Sequence, residues 1–307
     1  MPKLRNFTLK SDHDGLKLCA LTVLPDDGQP KALLQLAHGM SEHKERYIPF
    51  MEFLAQNGIG CIINDHRGHG GSVKSRDDLG YFYQDGAKGV ISDLHQFTQY
   101  FRKNNPGLPL FLMGHSMGSL AVRTYRLEHE RDIDGLIVCG SPGKNPAADA
   151  GLILLKILKA FRGERHISQL FINMTTGGFQ KRFKGTDESW LSVNRENVIA
   201  FENSPLCGFP FTLNGYEALL HLMKSAYDHK EAQNPELPVL FISGADDPCA
   251  PNQKGFEDAV QHMKNAGYLH VEKKFYPGMR HEILNETNKQ LVWDDVLRHL
   301  NGWMAGC

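Results

Sequence analysis

Apolar and polar positions change rhythm along this chain. It opens with NFTLK, a turn at Asp14-Gly15 and the run LKLCALTVLP, which together predict two antiparallel strands. Asp-Gly supplies the backbone torsions that a tight hairpin requires. Beyond the hairpin, short runs that are apolar at almost every residue alternate with longer segments of helical period. The runs are KALLQLAHG, GIGCIIND, LPLFLMGHS, DGLIVCGSP, LPVLFISGADD and LHVEKKFYPG. Unbroken apolarity is what a strand covered on both faces of a parallel sheet needs. The helical segments include 47–57, with Tyr47, Phe50, Met51 and Leu54 on one face, and 88–102, with Val90, Leu94, Phe97 and Phe101. The last is 286–303, where Leu291, Val296, Leu297 and Leu300 are expected to be buried. Strands alternating with helices predict an α/β fold: a doubly wound, mostly parallel sheet with right-handed crossovers. The rhythm breaks once, from 143 to 235, where helical periods and Gly/Pro loops appear without a clean strand. The expected organisation is a core of residues 1–142 and 236–307, with 143–235 as a helical cap inserted between core strands.

Composition and charge narrow the partners. With 307 residues the chain is long enough for one large α/β domain with an insertion. Its 34 Lys and Arg against 35 Asp and Glu leave no basic excess to hold a phosphate backbone, so nucleic acid is not an expected partner. The opening MPKLRNFTLKSDHDG lacks the apolar stretch of a signal peptide. No run approaches the roughly 20 apolar residues that cross a bilayer. Cysteines at 19, 61, 139, 207, 249 and 307 show no C-x-x-C spacing and read as reduced thiols. The expected compartment is the cytoplasm.

Candidate chemistry sits where strands end. LFLMGHSMGSLAVRTYRLEHE places an apolar strand, then Gly114-His115-Ser116-Met117-Gly118, then an amphipathic helix. A sharp strand-to-helix turn brings the positions two before and two after Ser116 into contact and leaves no room for β-carbons, hence Gly114 and Gly118. Such a turn presents Ser116 as a nucleophile at a helix N-terminus. A serine needs a base, and His281, in a loop after the last strand, is the expected one. The base needs a carboxylate to hold its tautomer, and the loop after PVLFIS offers two, Asp246 and Asp247. Asp247 is the chosen acid, with Asp246 directed outward. The oxyanion donors are expected to be the N–H groups of Met117, directly after the serine, and Met40, in the loop after KALLQLAHG.

These residues resemble the α/β-hydrolase superfamily, and within it the monoacylglycerol lipase and lysophospholipase-type branch. The resemblance rests on His38-Gly39, Glu42-His43, Arg46-Tyr47, DHRGHGGS (65–72), GHSMG, Asp247-Pro248 and YPGMRHE ending at Glu282. It implies an α/β-hydrolase fold and serine esterase chemistry on Ser116, Asp247 and His281, with Met40 and Met117 as oxyanion donors. A small ester or lipid is the implied substrate, with no metal or organic cofactor. Met40 departs from the family, which usually carries a small residue there.

Other features keep two readings each. His66 and His69, in a glycine-rich loop, invite a metal but fit loop structure better, with Asp65 bonding nearby backbone. In LILLKILKAFR (152–162), Lys156, Lys159 and Arg162 form a cationic stripe on an otherwise apolar wheel. That helix is either an interfacial lid that touches lipid surfaces or a cap helix burying its apolar side. Phe209, Phe211 and Tyr216 either line an acyl pocket or pack cap on core. Two rival functions remain. An aminopeptidase or amidase would need a buried carboxylate for a substrate ammonium, with Glu188, Glu202 or Glu217 available. A catalytically silent binding protein would retain the fold without turnover.

Overall fold

The computed structural model describes residues 1–180, 183, 189–249 and 253–305. The strands are β1 (Lys3–Lys10), β2 (Lys17–Leu24), β3 (Ala32–Ala37), β4 (Ile59–Asn64), β5 (Leu110–His115), β6 (Gly135–Cys139), β7 (Val239–Gly244) and β8 (Val271–Tyr276). They form one eight-stranded sheet in the order β1-β2-β4-β3-β5-β6-β7-β8. β1 pairs antiparallel with β2, and β2 antiparallel with β4; β4, β3, β5, β6, β7 and β8 run parallel. The hairpin turn is where the sequence put it, with Gly15 at φ 76°. The edge strands β1 and β8 are the exposed ones and carry Lys3, Arg5 and Lys10, and Glu272, Lys273 and Lys274. Charge on an open edge discourages pairing with another chain.

The helices are α1 (Ile48–Gln56), α2 (Gly86–Asn104), α3 (Met117–His129), α4 (Ala148–Arg162), α5 (Gln169–Met174), α6 (Thr176–Gln180), α7 (Arg195–Asn203), α8 (Leu213–Ser225), α9 (Lys254–Asn265) and α10 (Lys289–Ala305). Alternation along the strands divides the core in two. Leu110 and Leu112 of β5 join the cluster under α2, α3, α8 and α9, whereas Phe111 and Met113 join the one under α1 and α10. Helices therefore cover both faces, as continuous apolar strands require. One expected core residue is misplaced: Leu291 is 51% exposed. Val292, Trp293, Val296 and Leu300 form the buried face of α10, and at 3.6 residues per turn Leu291 lies across the wheel from them.

Among the described residues five helices, α4 to α8, lie between β6 and β7. The last of them is not confined to a separate layer. Leu213, Tyr216 and Leu222 of α8 share the cluster of Val90, Leu94 and Leu120 on α2 and α3. No helix among the described residues is long and apolar enough to cross a membrane. None of the five described cysteines is in a disulfide.

The strand order reverses at β3, whose two neighbours β4 and β5 leave in opposite directions, and such switch points open a crevice at the carboxyl ends of strands. A buried guanidinium helps lock the loops there. Arg67, fully buried, donates from Nε to Asp93 Oδ2 at 2.9 Å and from Nη1 to Asp14 Oδ2 at 2.9 Å. Ser11 Oγ completes the cluster by donating to Asp93 Oδ1 at 2.5 Å. Hairpin, 65–72 loop and α2 thus meet on one cation. Gly89 of α2 admits it, since a β-carbon there would stand 2.3 Å from Arg67 Cζ. Arg67→Met leaves Asp93 buried without its counter-charge, and about 3–5 kcal/mol of stability is expected to be lost in urea unfolding. Adding Asp93→Asn should recover part of that loss; a single variant as stable as the parent would refute the locking role.

Candidate active site

The bend after β5 is set by contact distances. A β-carbon at Gly118 would lie 2.1 Å from Ala37 O, and one at Gly114 would lie 2.2 Å from Gly118 O. β3, β5 and α3 therefore close on a point that only glycine can occupy. Between them Ser116 is held at φ 54°, ψ −117°, a region costly for a residue with a side chain. Its N–H donates to Cys139 O at 2.9 Å, and its carbonyl accepts from Ser119 N at 2.9 Å. The serine is thus pinned from β6 on one side and from the first turn of α3 on the other.

His281 and Asp247 arrive from the ends of β8 and β7. His281 Nδ1 lies 2.9 Å from Asp247 Oδ2, and both side chains are buried. Asp247 also accepts from Cys249 N at 2.8 Å and Ser243 Oγ at 3.2 Å. Asp246 is exposed, its N–H donating to Met279 O at 3.0 Å. Burial works to lower the imidazole pKa, but the charge and hydrogen bond of Asp247 outweigh it and hold His281 above its usual range. Burial would raise Asp247, yet His281 and the Cys249 amide keep its carboxyl below the usual carboxylate range. Ser116 and His281 line one cavity of about 300 Å³, and among the described residues Ser116 Oγ is not hydrogen-bonded to the imidazole. In free enzymes such contacts are often open and tighten on substrate.

Met40 and Met117 line the same cavity, and among the described residues neither amide N–H has a hydrogen-bond acceptor. The Gly39 N–H is spent, donating to Glu42 Oε1 at 2.6 Å. Histidines of the 38–43 and 65–72 loops also bind backbone. His69 Nε2 accepts from Ser41 N at 3.1 Å while its Nδ1 faces Arg67 O at 3.1 Å. His38 Nε2 accepts from His66 N at 2.9 Å, and His66 Nε2 faces His38 O at 3.1 Å. Burial pushes His66 down to about 4 and His69 down to about 3, so both rings are neutral fasteners of backbone. Asp65 does the work expected of it, accepting from Lys44 N at 2.9 Å and Gly71 N at 2.8 Å, and from Lys44 Nζ at 2.8 Å.

Several site residues had no role in the sequence reading. Arg46 donates to Glu42 Oε2 at 2.7 Å and bridges both oxygens of Glu282, at 2.7 and 2.6 Å, so one guanidinium ties the β3 loop to the His281 loop. His115 Nε2 meets His281 O at 3.1 Å from beneath. Trp190 lies with its ring 5.1 Å from that of His281. Glu286 draws the 192–194 segment down, accepting from Ser192 Oγ at 2.7 Å and Val193 N at 3.1 Å. Glu42, Arg46 and Glu282 were visible only as parts of a resemblance, because a charge shared between loops 236 positions apart has no local signature. Of the three aromatic candidates, Phe209 and Tyr216 line the cavity, while Phe211 is buried behind them against Phe82 and His69.

This sheet, with a serine at its tightest bend and an acid–imidazole pair on the following loops, is an α/β-hydrolase fold. Residues 28–288 match the serine aminopeptidase S33 family, and the chain belongs to that family. A monoacylglycerol lipase of Mycolicibacterium smegmatis is 27% identical over 299 residues, covering 94% of this chain and 95% of its own. Human monoglyceride lipase is 26% identical over 291 residues, covering 91% and 84%. A phospholipase of Bacillus subtilis is 25% identical over 269 residues, covering 86% and 93%. Among solved structures, a thermostable carboxyl esterase from Bacillus coagulans in complex with glycerol matches with TM-score 0.89 at 25% identity, over 98% of this chain and 99% of that one. A monoglyceride lipase from Saccharomyces cerevisiae shares the fold, with TM-score 0.74 at 22% identity over 98% and 96%.

The electrostatics of the buried pair can be checked directly. The His281 imidazole is expected to titrate above about 6.5 by NMR, and Asp247→Asn, which leaves burial unopposed, should bring it below that value. An unchanged titration would mean that Asp247 does not set the imidazole's charge.

Proposed function

We propose that this carboxylic ester hydrolase works through an acyl-serine intermediate on Ser116. The observation that carries the proposal is the buried Asp247–His281 pair at 2.9 Å, with His281 on the wall of the same cavity as the strained Ser116. In this reading Ser116 Oγ attacks the ester carbonyl as His281 Nε2 takes its proton. Asp247 fixes the proton on Nδ1 and stabilises the imidazolium. The Met40 and Met117 amides receive the oxyanion, and loss of one such donor costs about 3 kcal/mol in barrier. His281 returns the proton to the leaving alcohol, then activates water, which releases the acid and frees Ser116.

The cavity supports an apolar acyl chain: Leu120, Phe171, Met174, Phe179, Leu220 and Met223 are among its walls. Relatives named monoacylglycerol lipase and phospholipase fit a lipid ester. The aminopeptidase reading is weaker, because the two carboxylates that line the cavity among the described residues, Glu42 and Glu282, are already paired with Arg46. Of its other candidates, Glu217 is bound to Lys159 at 2.6 Å, Glu202 is exposed and Glu188 lies outside the described residues. A substrate ammonium would find no uncommitted acid among these.

Ser116→Ala is expected to remove fluorophosphonate labelling and to lower turnover of a p-nitrophenyl acyl ester on the order of 10⁶-fold. Labelling that persists in this variant would overturn the assignment of the nucleophile. Faster turnover of aminoacyl amides than of acyl esters by the parent would instead favour the aminopeptidase.

The cap supports contact with a lipid surface. On α4, Leu155 is buried, but Ile153, Ile157 and Phe161 are 64%, 49% and 82% exposed, beside the exposed Lys156 and Arg162. An apolar strip flanked by cations suits the boundary between headgroups and acyl chains. Replacing the three apolar residues by serine should weaken sedimentation with vesicles of anionic phospholipid while leaving turnover of a water-soluble ester unchanged. Equal sedimentation of variant and parent would discard lipid contact through α4.

A further inference from the structure

We propose that His95, His129 and Asp132 form a binding site for a first-row divalent cation, with Zn²⁺ the best fit to two imidazoles and a carboxylate. His95 lies within α2, His129 is the last residue of α3, and Asp132 ends the 3₁₀ turn Glu130–Asp132 that follows. The two rings stack with centroids 3.8 Å apart and planes at 8°. His95 Nε2 lies 3.1 Å from Asp132 Oδ2, and His129 Nδ1 lies 3.9 Å from the same oxygen. All three ligand atoms fall within 4.8 Å of one another. Ligand atoms held at about 2.0–2.2 Å around a tetrahedral Zn²⁺ stand roughly 3.3–3.5 Å apart, so rotation of two partly exposed side chains closes the set.

Two further observations favour a cation there. The carbonyl end of α3 points its partial negative charge at this spot, and Glu128 Oε2 adds a carboxylate 3.9 Å from His129 Nε2. His95 and His129 also stand on the wall of a cavity of about 900 Å³ that shares no lining residue with the one at Ser116. α8 divides the two, with Leu219, Leu220 and Met223 facing the serine and Glu217, His221 and Ser225 facing the histidines. Three protein ligands beside an open cavity leave one coordination position for water or an exchangeable ligand. A reversibly held ion is therefore expected, rather than one on which folding depends.

The test is calorimetric titration of the chelator-treated full chain with Zn²⁺, repeated with Co²⁺ to read the visible absorption of a tetrahedral site. One ion per chain is expected, with affinity lowered at least about tenfold by His95→Gln or His129→Gln and by more in the pair. Ester turnover by the variants reports that they are folded. Asp247, Cys249 and His281 also bring ligand-type atoms within 4.8 Å, so Cys249→Ser serves as a control that should leave the titration unchanged. No binding by the parent, or binding that survives the double histidine variant, overturns the proposal.

Discussion

The close approach of β3, β5 and α3 at Gly118 governs everything built above the sheet. With 2.1 Å between a hypothetical β-carbon and Ala37 O, no other residue allows α3 to start so near β3. That proximity forces Ser116 into its left-handed backbone. It also places Met117 on the wall of the cavity that Met40 lines from the loop after β3. A strained serine persists only where its surroundings over-determine it. Here they do: β6 holds its amide, the first turn of α3 holds its carbonyl, and two apolar layers hold the strands themselves.

Around that fixed point the loops are positioned by buried charge and by neutral histidines rather than by regular structure. Arg67 gathers the hairpin and α2, Lys44 and Asp65 join two loops, and Arg46 spans Glu42 and Glu282. Each ion is taken out of water and is tolerable only because several hydrogen bonds satisfy it. Such clusters contribute little net stability, but they leave each loop a single arrangement. For the proposed esterase that matters more, because an error of about an ångström between nucleophile, base and oxyanion donors is costly in rate.

The segment between β6 and β7 makes contacts of several kinds. Its 189–197 segment grips the His281 loop through Glu286, Arg280 and Asn197, and lays Trp190 over the imidazole. α8 packs into the core and forms a wall between two cavities. α4 is attached through Ala148, Leu155 and the partly buried Leu152, Leu154 and Leu158, with the Lys159–Glu217 pair beside them, and turns an apolar strip outward. The grip on the His281 loop and the outward apolar strip thus belong to different parts of the segment between β6 and β7.

The chain's own pattern was enough for the sheet, the order of its elements and the candidates Ser116, Asp247 and His281. These depend on local rules: continuous apolar runs make buried strands, and functional loops follow strand ends. Tertiary structure decided what local rules cannot. It left Leu291 in water where helical spacing had buried it. It also made Arg46, Trp190 and Glu286 part of the site, and brought His95 onto His129 from separate helices. In each case the deciding quantity is a distance between segments remote in sequence. Burial and charge act through space, whereas periodicity reports only on neighbours along the chain.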